Sequence, residues 1–151
     1  MQIQKLGLAI GIACLLSLSH AADPALAPNA PKDRVVPLVP AEIAPYVQQA
    51  RNTYAAAKRR FQAGLPAGQS FFLATTLTDL SGNRENVFIA VNRINNGVVY
   101  GKIWNDLQTV RGYRYGDAYS FAENRMLDWL ITKAYGSEEG NFVGKYLDSR
   151  S

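Results

Sequence analysis

The stretch ENVFIAVNRINNGVVYGKIW, residues 85–104, decides the fold. Val87, Ile89 and Val91 alternate with Asn86, Phe88, Ala90 and Asn92, a period of two that predicts a strand from Glu85 to Ile94. Asn95-Asn96-Gly97 follows, and an Asn-Gly pair accepts positive φ at little cost, so the chain reverses there in a tight hairpin. Val98 to Trp104 returns as the partner strand. An antiparallel sheet therefore sits at the centre of the domain.

Working outward, Ser70 to Thr78 is rich in Phe, Leu and Thr and reads as the preceding strand, joined by a turn at Asp79–Asn83. Before it, Val47, Ala50, Tyr54, Ala57 and Phe61 recur at steps of three and four, the stripe of an amphipathic helix. Pro45 suits its first turn, and Gly64 with Pro66 stops it. Lys58, Arg59 and Arg60 lie near its C-terminal end, where cations favour the helix dipole, so the triplet needs no nucleic acid to explain it.

Downstream, Asn105 to Gly116 is a connection and Asp117 to Phe121 a fourth strand. Residues 125–134 are two-sided: Met126, Leu127, Leu130, Ile131 and Ala134 make a helical stripe, while Trp129 to Thr132 is β-like. The short Glu123-Asn124 turn favours a fifth strand paired with the fourth. The polar stretch Gly136–Asn141 then reads as a loop, with Asn141 capping a short helix that contains Phe142, Val143, Tyr146 and Leu147. The expected fold is α+β: an N-terminal helix packed on a twisted antiparallel sheet of about five strands, with a short C-terminal helix.

Residues 1–21 read as a secretory signal peptide. Lys5 is followed by an apolar run, Leu6–Leu18, of about 13 residues, short of the roughly 20 that span a bilayer, and cleavage is expected between Ala21 and Ala22. A lipid anchor at Cys14 is disfavoured, because the leucine usual three residues earlier is missing. Residues 22–44 form a Pro-rich linker, and 45–151 a single domain. The expected address is periplasmic or secreted.

Cys14 is the only cysteine and His20 the only histidine, so the processed chain is expected to hold neither. Disulfides, thiolate nucleophiles, Ser-His-Asp hydrolysis and ordinary zinc sites all need one or the other. No cofactor is expected. The net charge of +4 is modest and does not imply nucleic acid.

Half of the twelve carboxylates fall between Asp117 and Asp148. Paired carboxylates can hydrolyse glycans at defined separations, but no spacing here fixes a pair. Trp129 is expected in the core and Asp128 facing outward or paired with Arg125 or Lys133, since neighbours on a strand point to opposite faces. Ser137, Glu138, Glu139 and Asn141 lack the ligand spacing of a calcium loop and read as a charged loop suited to a basic protein partner. Arg111, Tyr113, Arg114 and Tyr115 interleave cations with aromatics, the composition of interface anchors.

The helix, the strand led by Glu85, the Gly97 hairpin, Gly101, Asn105, Gly116-Asp117, Leu127-Asp128-Trp129 and the Gly-Ser-Glu-Glu-Gly-Asn loop together resemble the YegJ-like bacterial proteins, defined by domain of unknown function 2314. The resemblance runs from about Gln48 to Asp148 and implies the same fold, without catalytic residues to carry over. The leading functional expectation is a non-enzymatic periplasmic binding protein with a protein partner, in its sharpest form an immunity protein against an antibacterial toxin. The alternatives are a carboxylate-dependent cell-wall glycan hydrolase and a structural envelope protein.

Overall fold

A computed structural model describes residues 40–150. The expected signal peptide, its Ala21–Ala22 cleavage point, Cys14, His20 and residues 22–39 of the linker lie outside the described residues. The elements are α1 (Pro40–Ala63), β1 (Ser70–Thr78), β2 (Arg84–Asn95), β3 (Val98–Ile103), β4 (Ala118–Ala122), β5 (Asp128–Thr132), β6 (Glu138–Gly140) and α2 (Phe142–Asp148), with short 3-10 turns at Glu123–Arg125 and Ala134–Gly136.

The β2–β3 hairpin forms as its sequence dictates, with Asn96 and Gly97 both at positive φ. It lies within a six-stranded antiparallel sheet of order β4-β3-β2-β1-β5-β6. A register shift between Val91 and Arg93 marks a bulge in β2.

The domain is α+β, and both faces of the sheet are covered. One face carries Leu73, Ile89, Trp129 and Ile131 in a core cluster with Ala50 and Ala57 of α1. The other gathers Phe72, Ala74, Phe88, Ala90, Trp104 and Leu130. Consequently seven successive residues of β1, and seven of β2, are buried, whichever face they point to. Truncating Phe72 or Phe88, each 1% exposed, to alanine costs about 3–5 kcal/mol.

Four expectations about the course of the chain change. The sheet has six strands rather than five, because Glu138–Gly140 pairs with β5. β5 is a strand, but its partner is β1, with Leu73 opposite Trp129, rather than β4. The Glu123–Arg125 turn does not reverse the chain; residues 123–127 carry it from one edge of the sheet to the far side of β1. The helix begins at Pro40, inside the expected linker, where a missing N–H is harmless and Glu42 favours the first turn. Pro45 is thus internal to the helix and forgoes one bond to the carbonyl of Ala41.

Asn141 does not cap α2 through its side chain. It sits in the left-handed region at φ 57°, and its amide instead donates to Glu138 Oε2 at 2.8 Å. The capping acceptor is Asp128, whose Oδ2 receives the Val143 N–H at 2.7 Å. Asp128 is therefore buried beside Trp129 on the neighbouring position, against the expectation that it faces outward.

Candidate functional site

The residues singled out from sequence fall into two groups that the sheet keeps apart. Arg111, Tyr113, Arg114 and Tyr115 lie in the β3–β4 connection. Asp128, Ser137, Glu138, Glu139 and Asn141 lie with β5 and β6, and β1 and β2 separate the two groups in the strand order.

The β3–β4 connection is a long segment with little regular structure, so its order has to come from other contacts. Two carboxylates at the β1–β2 end of the sheet supply them. Glu85, 3% exposed, accepts the backbone N–H groups of Gln108, Thr109 and Val110 at 2.8–3.1 Å. Asp79 accepts the Arg111 N–H at 3.0 Å together with those of Ser81 and Asn83. The Asn83 side-chain amide first, then the Arg111 N–H, hold the Asp79 carboxyl below the usual range. Val110 is drawn into the core, while Arg111 and Arg114 stay exposed. The loop is a rigid mount for two cations, with Tyr113 set edge-on to Tyr119.

In the second group, Asp128 and Asn141 are 1% and 0% exposed, so neither offers a contact surface. Burial pushes the Asp128 carboxyl up to about 6, against the opposing pull of the Val143, Trp129 and Phe142 N–H groups and of Lys145. Glu139 is ion-paired with Arg60 and with Lys133, which lower its carboxyl below the usual range. Ser137 is exposed just before β6. Among the described residues, no group of three or more His, Cys, Asp or Glu side chains is placed to share a metal ion.

One concavity among the described residues was not singled out from sequence. It is a groove along one flank of α1, walled on the other side by residues 123–127. Its wider half, about 580 Å³, is lined by Tyr54, Glu123, Asn124 and Met126. Its narrower half, about 410 Å³, is lined by Ile43, Val47, Arg84 and Leu127. Arg51 lines both halves, and its Nε donates to the Met126 carbonyl at 3.4 Å, a bridge that divides them.

The two halves differ in charge. In the wider one, Glu123 accepts from the Tyr54 hydroxyl at 2.8 Å and from Lys58 Nζ at 2.6 Å. Burial and the adjacent Glu123 raise the Tyr54 hydroxyl well above its ordinary value, so it stays a neutral donor. In the narrower one, Arg51 and Arg84 have no carboxylate partner among the described residues, whereas elsewhere Lys58 pairs with Glu123, Arg60 and Lys133 with Glu139, and Arg150 with Glu42. The sequence did carry a sign of this flank. Ile43, Val47, Arg51 and Tyr54 are spaced four, four and three apart, one side of a helix, but a stripe read only for its buried face passes over the flank beside it.

Residues 41–150 match the family model described as an uncharacterized protein conserved in bacteria, DUF2314. The chain belongs to the DUF2314 family. The matched residues span the structure from the first turn of α1 to just beyond α2, so both walls of the groove and the pinned β3–β4 loop lie within the DUF2314 region. No curated protein and no solved structure matches the chain. No helix among the described residues of this DUF2314 protein is long and apolar enough to cross a membrane.

Proposed function

We propose that this DUF2314 protein is a non-enzymatic binding protein with a protein partner, working in the periplasm, and in its sharpest form an immunity protein that neutralises an antibacterial toxin delivered there. One observation carries the reading: an open groove along α1 presents Arg51 and Arg84, which have no carboxylate partner among the described residues, while Asp79, Glu85 and Asp128 each serve backbone N–H groups of the fold itself. Carboxylates committed in this way are poor candidates for proton transfer, whereas arginine and aromatic side chains on a fixed scaffold suit recognition. The export signal in the sequence supports the periplasmic address.

The test is co-purification with crosslinking from the native host, alongside survival of cells exposed to a toxin encoded beside this gene. Recovery of that toxin and protection from it are expected. Capture of abundant envelope proteins alone, without protection, would sink the immunity reading and favour a structural envelope role. Loss of glycan turnover on changing Glu138, Glu139 or Asp128 singly to the amide would favour the carboxylate-dependent hydrolase instead.

A further inference from the structure

The narrower half of the groove joins two features. Ile43, Val47 and Leu127 form an apolar wall, and Arg51 and Arg84 stand at it without carboxylate partners among the described residues. An apolar wall alone would accept many side chains. The two exposed guanidinium groups beside it are solvated and favour a negative group in the cleft, best a carboxylate that each can meet with paired N–H donors.

The shape narrows the choice further. The Arg51–Met126 contact stands at one end of the cleft, between it and the wider half of the groove. β5 pairs with β1 only from Ser70 to Ala74, whereas β2 stays paired with β1 as far as Thr78. Residues 125–127 lie beside the part of β1 beyond that pairing, with the Leu127 N–H donating to the Ala74 carbonyl and the Thr75 hydroxyl to the Arg125 carbonyl, so that Thr76, 7% exposed, floors the cleft beside Leu127. An obstructed end, an apolar wall and adjoining cations suit a residue that carries a side chain and a free carboxylate on the same Cα.

We propose that this cleft binds the C-terminal residue of a partner protein, an aliphatic side chain against Ile43, Val47 and Leu127 and the terminal carboxylate between Arg51 and Arg84. The proposal rests on the partner being a protein, and it adds which part of that partner the groove takes.

It is tested with isolated probes, so that the outcome is independent of whether any toxin is found. Isotope-labelled protein is titrated with N-acetyl-leucine, with its amide, and with a blocked tripeptide, N-acetyl-Leu-Glu-Leu-amide, which offers an internal acid only. N-acetyl-leucine is expected to shift the Ile43, Val47 and Leu127 methyl signals, and both other probes to bind at least about tenfold more weakly. Arg84→Gln, at an exposed position, should lower affinity for N-acetyl-leucine about tenfold while leaving the amide's unchanged. Arg51→Gln is the second variant and should act in the same direction. Equal binding of acid and amide would overturn the carboxylate assignment. Equal binding of the tripeptide would overturn the chain-end assignment, and shifts confined to residues 111–115 would overturn the location.

Discussion

Asp128 carries a sharp pH signature. Its carboxyl is pushed up to about 6 in the fold from an unfolded value of 3.8, with burial as the main cause. Between those values the native state holds a proton that the unfolded chain has released, so this group's contribution to stability is fully present at low pH. It is lost as pH rises through about 6. The separation corresponds to about 3 kcal/mol in all, of which about 2 kcal/mol falls between pH 4.5 and 7.5. Asp128→Asn cannot titrate and also loses one of two acceptor oxygens, those serving Trp129 N–H and Val143 N–H. At pH 4.5 the variant should be the less stable protein by about 1–3 kcal/mol, the cost of an unmet buried donor. By pH 7.5 the gap should have moved about 2 kcal/mol in the variant's favour. Urea denaturation of both proteins across that range, followed by tryptophan fluorescence, reads the gap directly, and the other ionising groups cancel in the difference. A gap that stays constant within about 0.5 kcal/mol would refute the assignment of a strained, buried carboxylate at this position.

Gly144→Ala should destabilise by about 1–3 kcal/mol, because the new Cβ would lie 2.1 Å from Asn141 Oδ1 inside a fully buried contact; helix propensity alone predicts the opposite sign, so a raised melting temperature would count against the packing described. Glu85→Gln leaves the amides of residues 108–110 short of acceptors and should cost about 2–4 kcal/mol, with their hydrogen-exchange protection lost first; unchanged protection there would show that the loop is held by something else. Arg60→Ala, by contrast, breaks a half-exposed ion pair with Glu139 and should cost less than about 1 kcal/mol in chemical denaturation, shrinking further with salt. A large, salt-insensitive loss would mean that the Arg60 stem is packing rather than pairing.

The hairpin and α1 were legible because each rests on local signals, a period of two with an Asn-Gly turn and a period near 3.6. What escaped was non-local. Whether residues 123–127 reverse the chain or carry it across the sheet depends on where β1 leaves an open side, and nothing near Glu123 records that. The polarity of Glu138-Glu139-Gly140 hid a strand, since a three-residue edge strand needs only a partner and a place for its side chains, here the cations Arg60 and Lys133. Asp128 misled for a related reason. Strand alternation says that Asp128 and Trp129 face opposite ways, which is true, but one exposed face does not follow when both are covered. As for the site, Arg111 and Arg114 were visible as exposed cations, whereas the α1 groove exists only because the crossing segment lies beside the helix.

The first and last described helices close on each other. Tyr46 stacks on Tyr146 at 4.2 Å, Ile43 packs with Val143, and Arg150 meets Glu42 at 3.3 Å. The start of α1 and the interior acid of β5 thus both depend on residues 142–150, which follow every strand in the chain. A nascent chain paused before Phe142 has its sheet sequence complete yet keeps Asp128 without its α2 amides and Ile43 without its cover. The domain therefore stays unfinished until α2 has been made, and a truncation after Asn141 removes the clasp while sparing every strand.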